Sequence, residues 1–435
     1  MRNHESRITN LESRMDPMDL FGEFEWRGLL YDATDGLRDV LAREQVTGYI
    51  GFDPTAASLH VGSLLVIMAL ARMQRCGHSP IAIVGGGTGL IGDPSGKTVE
   101  RTLLTNEQVE ANVEGLRRQL SRFLDFDAVA NPARIVNNAE WLTKMSAIEL
   151  MRDVGKYFTV NYMLAKESVK RRIESEDGIS YTEFSYLLLQ SYDFVMLYDR
   201  FKCTLQMGGS DQWGNITAGV DLTRKLRGAK VHGLVMPLVT TASGTKFGKT
   251  ESGTVWLDPE LTRPYDFYQF WMKTDDRDAV KYLKFFTFLP QPRIVELEEG
   301  TRRAPEQRAA QRELAREVTR LVHGEDAVRE AEANTSIVFA ASVSVEDLRK
   351  APEKLRLERS LFAAGVPLTH VLVQAGLAAS NSEGVRLIRS GGISLNGERV
   401  TDERQVLTLG SAGVSDGIFR IDRGKKQRIV VEIAG

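Results

Sequence analysis

VTGYIGFDPTAASLHVGSLLVIMALARMQRCGHSPIAIVGGG, residues 46–87, reads as strand, helix, strand. The outer runs, VTGYIGFD (46–53) and SPIAIVGGG (79–87), carry β-branched and aromatic residues and end in glycine or turn residues. Apolar residues recur at helical spacing in the middle run, with Ser58 placed to cap it and Gly77 to end it. A strand, a helix and a strand joined over this length form a βαβ unit, whose two strands run parallel. The fold class is therefore α/β, and strand-like runs go on alternating with helical ones from about residue 21 to 256.

Residues 100–200 read as mostly helical, with a basic turn in AKESVKRRIESEDG (165–178). A further strand, in KCTLQMGGSDQWGN (202–215), ends in glycines. Residues 263–338 are helical and highly charged, SVSVEDLRKAPEKLRLE (342–358) looks like a linker, and the last stretch returns to a short α-plus-β pattern. A chain of 435 residues has room for two to four domains with real cores. Its composition, 42% hydrophobic and 26% charged, is that of an ordinary soluble globular protein. A net charge of -2 gives no global field toward nucleic acid or an anionic membrane, so any RNA contact must be local. Two isolated cysteines, Cys76 and Cys203, argue against a disulfide framework and fit a reducing cytoplasm. The polar start MRNHESRITNLESRMDP has no apolar core of a secretion signal, and VGSLLVIMALARM (61–73) is too short to span a bilayer.

The loop GGGTGLIGDPSGKT (85–98) contains a GxGxxG at Gly87, Gly89 and Gly92. A dinucleotide fingerprint needs a helix N-terminus after its third glycine. Here Asp93 and Pro94 follow at once, which is turn chemistry with an acid where a phosphate should sit. A Walker A loop ending in this GKT would need glycine at 91, and that residue is Ile91. The plain alternative is a glycine-rich loop that packs tightly. Four polar constellations stand around it. GFDPTAASLHVGSL (51–64) puts His60 and Gly62 in the first turn of the expected helix, where N–H groups and the dipole favour phosphate. KFGKT (246–250) is a lysine loop suited to a polyphosphate or simply to solvent. In YLLLQSYD, Tyr186, Gln190 and Asp193 share one helix face, either a polar pocket or an exposed stripe. MGGSDQWGN (207–215) sets Asp211 and Gln212 at a strand end, where α/β sheets bind ligands. The six histidines are scattered and show no metal-ligand spacing.

In this order and spacing, GFDPTAASLHVG, GLIGDPSGK, GGSDQWGNIT and TKFGKT resemble the bacterial tyrosyl-tRNA synthetases, class I aminoacyl-tRNA synthetases. HVGS stands where that family has HIGH, and KFGKT where it has KMSKS. The resemblance implies a Rossmann-like parallel-sheet catalytic domain (21–256) after a polar extension (1–20). A helical anticodon-side domain (257–340), a linker (341–365) and a C-terminal RNA-binding module (366–435) would follow. It also implies that L-tyrosine and ATP give tyrosyl-adenylate, and that tyrosine then passes to tRNA(Tyr). By the same resemblance Tyr49 and Asp193 would hydrogen-bond the substrate phenol. Asp93, Tyr186 and Gln190 would surround its ammonium, and Gln212 would hold the carboxylate end. Gly51, Asp53, Thr55, Gly62, Ser63, Gly209 and Asp211 would contact ATP or the ribose. His60, Thr55, Lys246, Lys249 and Thr250 would stabilise the transition state, with Lys97 and Arg101 closing on pyrophosphate. None of these is a nucleophile or general base, because the substrate carboxylate already is the nucleophile. ATP enters as substrate with Mg2+ implied, no cofactor is expected to stay bound, and no protein metal site is expected.

LTHVLVQAGLAASNSEGVRLIRSGGISLNGERVTD (368–402) resembles the RNA-binding module of ribosomal-protein S-four type. Residues 366–435 hold nine Lys and Arg against seven Asp and Glu, and Arg386, Arg389, Arg399, Lys425 and Lys426 are its candidate phosphate contacts. Members of the family are homodimers, and GKYFTVNYMLAKESVKRR (155–172) is the stretch expected at the dimer contact. Two other readings stay open: a related nucleotidyltransferase or the tryptophanyl enzyme, and an RNA-binding or splicing relative that has lost adenylation. Ser63 in place of the second HIGH histidine is the main departure, and Ile50 stands where the family often has cysteine. A hydroxyl in that turn can still donate to a phosphate, so Ser63→Ala should raise the KM for ATP in pyrophosphate exchange. Unchanged ATP kinetics would remove Ser63 from the nucleotide contact.

Overall fold

The computed structural model describes residues 19–435 except 55, 94–103, 175–177, 245–246, 251–252, 340–343, 352–353, 412–413, 415, 425–426 and 435, and leaves aside the side chains of 168, 249, 250 and 337–339. Six strands form one sheet: β1 (Asp32–Ala33), β2 (Thr47–Phe52), β3 (Ser79–Val84), β4 (Arg134–Asn137), β5 (Leu205–Gly209) and β6 (His232–Met236). Their order is β1-β6-β5-β2-β3-β4, and every pairing is parallel except β1 on β6. Tyr49 of β2 lies level with Ile81 of β3 and Gln206 of β5. All of β6, and β3 from Pro80 on, is buried, as expected of strands covered on both faces. From β2 the chain steps outward to β3 and β4, then returns to build β5 and β6 on the other side. The order reverses between β2 and β5, where the carboxyl ends of an open α/β sheet leave a crevice for ligand.

The expected βαβ unit is therefore present, with two local differences. β4 lies in a stretch read as helical; its four residues are too few to show a strand period. The helix after β2 is Leu64–Arg75, entered through a 3-10 turn at Val61–Ser63. Ser58 does not cap it: its hydroxyl donates to the Leu59 carbonyl, and His60 is the capping residue, extended at φ -122. The cause is long-range pairing, because Val61 N–H donates to Val255 O and Leu257 N–H to Leu59 O, making a β-bridge between His60 and Trp256.

Helix Tyr181–Phe201 starts at Ser180, whose hydroxyl accepts from Glu183 N, and stops at Lys202, held left-handed at φ 53. It presents Tyr186, Asp193 and Phe194 to the interior, while helix Trp213–Arg227 packs alongside. Among the described residues no helix is long and apolar enough to cross a membrane.

At the sheet's opposite edge, two buried arginines hold the end of helix Asp276–Phe286. Arg27 donates to the carbonyls of Lys284, Thr287 and Leu289, and Arg72 to those of Lys284, Phe285 and Thr287. Those of Lys284 and Phe285 are carbonyls that a helix end leaves without intrahelical donors, and Thr287 and Leu289 follow just beyond it. Glu23, 8% exposed, pairs with Arg27.

The chain divides into two compact units, 1–323 and 324–435. The first also takes in helices Pro264–Met272, Asp276–Phe286, Gln291–Arg303 and Ala309–His323. In the second, helices Leu368–Gln374 and Asn381–Arg389 pack with a five-stranded sheet around Phe362, Leu372, Ile393 and Phe419. The stretch read as a linker supplies helix Val345–Lys350 and strand Leu355–Glu358, which lies parallel on Gln427–Ala434 and so belongs to this unit's sheet. Arg27→Met removes one partner of a buried ion pair and should cost the first unit about 3 kcal/mol, read as a lower urea midpoint. An unchanged midpoint would mean that Arg72 and packing hold the helix end without Arg27.

Candidate active site

Asp193 sits near the carboxyl end of the sheet, 4% exposed. Its Oδ1 accepts from Trp141 Nε1 at 2.8 Å and its Oδ2 from Asn138 Nδ2 at 3.0 Å. Burial pushes this carboxyl up to about 7, against the pull of those two hydrogen bonds. The Tyr49 hydroxyl, on a ring 1% exposed and edge-on to Phe194 at 5.3 Å, makes no hydrogen bond among the described residues. Burial and then the neighbouring Asp193 raise its pKa well above the usual phenol value. Buried hydroxyls normally find partners. An unpaired phenol beside an acid is suited to a third group that can both donate and accept.

A polar chain runs outward from Asp193. Asn138 Oδ1 accepts from Gly87 N at 2.8 Å, and its Nδ2 also donates to Thr88 Oγ1 at 3.0 Å. Thr88 Oγ1 donates to Asp53 Oδ1 at 3.2 Å, and Tyr186 OH donates to the same carboxylate at 3.1 Å. Nearby, Gln212 Nε2 donates to Asp93 Oδ2 at 2.8 Å, Gln190 Nε2 to Gln212 Oε1 at 3.3 Å, and Asn215 Nδ2 to Gln190 Oε1 at 2.9 Å. Asp93 is 8% exposed, so an acid and two carboxamides line a site suited to an ammonium and a carboxylate. Tyr49, Asp53, Asp93, Tyr186, Gln190, Asp193 and Gln212 are thus gathered at one place.

The glycines of the GGG run make room for this chain rather than for a phosphate. A Cβ on Gly85 would lie 2.5 Å from Asp53 Oδ1, and one on Gly86 would lie 2.2 Å from Asn137 Oδ1. Gly51 differs, since a Cβ there would meet Ile83 at an ordinary 3.6 Å. Gly209 begins the 3-10 turn Ser210–Gln212 that carries Asp211 and Gln212. His60 is exposed, accepts from Gly62 N at Nδ1 over 3.0 Å, and sets its ring against Trp256 at 6.1 Å. Ser63 is half-buried at the junction of the 3-10 turn and the helix.

The backbone of Lys249–Thr250 pairs with Gly253–Thr254 in a small hairpin. Before it, Phe247 is 6% exposed, stacked on Phe286 at 5.3 Å and edge-on to Tyr282 at 5.0 Å. After it, Val255 N donates to Gly248 O at 3.2 Å, next to the bridge at His60. Thr55, Lys97, Arg101 and Lys246, with the side chains of Lys249 and Thr250, lie outside the described residues, as do Lys425 and Lys426. In the second unit Arg386 is exposed, Arg389 forms a two-point ion pair with Glu403, and Arg399 donates to Ser390 O at 3.2 Å. Reading the sequence missed Thr88, Asn138, Trp141 and Asn215. The one available signal was the NNAEW run after β4, polar residues beside a tryptophan at a strand end.

The family described as "tRNA synthetases class I (W and Y)" matches residues 41–340, and the "Tyrosine--tRNA ligase SYY-like C-terminal domain" matches 357–431. The tyrosine–tRNA ligase of Roseiflexus castenholzii is 56% identical over 397 residues, 90% of this chain and 94% of that protein. That of Geobacillus stearothermophilus is 52% identical over 423 residues, 96% of this chain and 100% of that protein. Among solved structures, a C-terminally truncated mitochondrial tyrosyl-tRNA synthetase of Aspergillus nidulans superposes with a TM-score of 0.65 at 32% identity, covering 72% of this chain and 92% of that one. Together with the parallel sheet and the polar site at its carboxyl ends, these likenesses mean that the chain belongs to the tyrosine–tRNA ligases, within the class I tRNA synthetase (W and Y) family.

Proposed function

We propose that this chain activates L-tyrosine with ATP and transfers it to tRNA(Tyr), with Tyr49 and Asp193 as the pair that reads the substrate phenol. The observation that carries this reading is the unpartnered Tyr49 hydroxyl beside the buried Asp193 carboxyl. A tyrosine phenol accepts from Tyr49 and donates to Asp193, completing both groups. Phenylalanine would leave the Tyr49 hydroxyl buried and unpaired and Asp193 without its third donor, a free-energy cost that discriminates against it. Asp93, Tyr186 and Gln190 take the ammonium, and Gln212 orients the carboxylate. Asn138 and Trp141 act through Asp193: their two hydrogen bonds aim its carboxyl and hold down its pKa.

A carboxylate oxygen of tyrosine attacks the α-phosphorus of ATP in line. The new O–P bond forms as the bond to the bridging oxygen breaks, and pyrophosphate leaves. His60, Thr55, Lys246, Lys249 and Thr250 stabilise charge on the phosphoryl oxygens, while Lys97 and Arg101 meet the departing pyrophosphate. Gly51, Asp53, Gly62, Ser63, Gly209 and Asp211 hold the nucleotide. Mg2+ arrives with ATP as part of the substrate. In the second step a ribose hydroxyl at the tRNA 3′ end attacks the acyl carbon, and AMP leaves.

The exposed apolar side chains Val160, Tyr162 and Leu164 support the homodimer contact expected within 155–172. The second unit, an RNA-binding module of ribosomal-protein S-four type in this reading, offers Arg386 and Arg399 to tRNA phosphate; the resemblance adds Lys425 and Lys426, which lie outside the described residues. Arg389 contributes less, because Glu403 already balances its charge. A cytoplasmic setting follows from this function.

Purified protein without tRNA should catalyse ATP–pyrophosphate exchange with tyrosine and give none with phenylalanine or tryptophan. Failure with every amino acid, alongside tight RNA binding, would favour the reading of an RNA-binding relative. Because Asp193 must be ionised to accept the phenol proton, KM for tyrosine should rise as pH falls through about 7 and stay flat above it. Asn138→Ala removes a donor to the carboxylate and should move that inflection to higher pH. An inflection that stays in place would mean that Asn138 does not tune Asp193.

A further inference from the structure

Helix Leu64–Arg75 runs back from the carboxyl ends of the strands, so its last turn stands at the opposite edge of the sheet. There, with helix Leu20–Arg27 and the chain after Phe286, it encloses a cavity of about 180 Å³. Its walls include Glu23, Trp26, Arg27, Arg72, Arg75 and Phe288. Each guanidinium is held differently. Arg27 is spoken for by Glu23 and three carbonyls. Arg72, 1% exposed, uses only Nη2 on the helix end; its Nε and Nη1 are buried and have no hydrogen-bond partner among the described residues. Arg75 is exposed at the rim, 4.2 Å above the Phe288 ring, with no ion pair among the described residues. Three cations thus face one carboxylate.

A helix-end clamp explains Arg27 and one nitrogen of Arg72. It does not explain two buried donors left unmade, or a third arginine brought to the same cavity. We propose that the cavity is a second anion site, remote from the adenylation site, that takes a small tetrahedral oxyanion of the phosphate class. Such an anion accepts from planar guanidinium forks in pairs, which suits arginine better than lysine. The volume is several times the roughly 30 Å³ share of one water, leaving room for the ion and part of its hydration. The Trp26 and Phe288 rings keep the local dielectric low and strengthen the attraction. Burial lowers the pKa of all three guanidiniums, the strain that an incoming negative charge relieves.

Calorimetric titration of the full chain with inorganic phosphate tests this, with chloride matched for ionic strength and the adenylation site saturated by a non-hydrolysable tyrosyl-adenylate analogue. One equivalent of phosphate should bind. Arg75→Gln should weaken that binding at least tenfold, and Arg75→Lys should recover part of it. Pyrophosphate exchange without added phosphate should stay as in the parent, because Arg75 is remote from the adenylation site. Absence of phosphate heat under the analogue would overturn the proposal, placing any phosphate binding at the adenylation site. Equal affinity in Arg75→Gln would overturn it too, placing the phosphate elsewhere on the surface.

Discussion

The backbone at Gly85 and Gly86 must come closer to Asp53 and Asn137 than any side chain would allow. The rest of the site depends on that approach. With no Cβ in the way, Thr88 reaches Asp53, the amide of Gly87 reaches Asn138, and Asn138 in turn reaches Asp193. β3 thereby delivers its loop against residues that follow β2 and β4, so three neighbouring strands fix one carboxylate. A polar chain of this kind is stabilising only while every link is made. Tyr49 OH is the link left open, and it lies where the substrate is expected.

Chemistry that needs neither a nucleophile nor a base from the protein puts its demands elsewhere. What matters is that donors and charges are already aimed before the substrate arrives. The two ends of the candidate site meet that demand differently. At the amino-acid end, side chains from the helix over 181–201, from β2 and from the short helix after β4 lock one another. At the end proposed for the nucleotide, a 3-10 turn and a hairpin carry the chain, and backbone pairing sets their place.

Much of this was legible in the sequence, because its causes are local. The βαβ unit shows in hydrophobic period and flanking glycines. Tyr186, Gln190 and Asp193 show as one helix face, and Asp93 as an acid in a turn that no dinucleotide loop would carry. What escaped notice depends on partners far along the chain. Asn138 and Trp141 look ordinary until Asp193, more than fifty residues later, is folded beside them. His60 reads as a helical residue until Trp256 pairs with it. Arg27 and Arg72 carry no local mark of burial, because the carbonyls that hold them come from the end of helix Asp276–Phe286 and the chain after it. Strand Leu355–Glu358 passes for a linker because, among the described residues, it pairs only with strand Gln427–Ala434, about seventy residues further on.

The hairpin at Lys249–Thr254 is tied at both ends: Phe247 is sunk among aromatic rings, and Val255 is bonded back to Gly248 and to Val61. A segment so short between two fixed points has little closure entropy left to lose. The backbone bearing Lys249 is therefore held to a small volume beside the His60 turn, as a short leash holds whatever it carries. If the loop serves ATP as proposed, the phosphates meet it at an effective concentration set by the leash and not by diffusion, in the way a short linker raises avidity. Residues inserted between Gly248 and Val255 would cost the fold little, yet under the proposed function they would dilute the loop's charge, which makes the length of this loop a term in the rate.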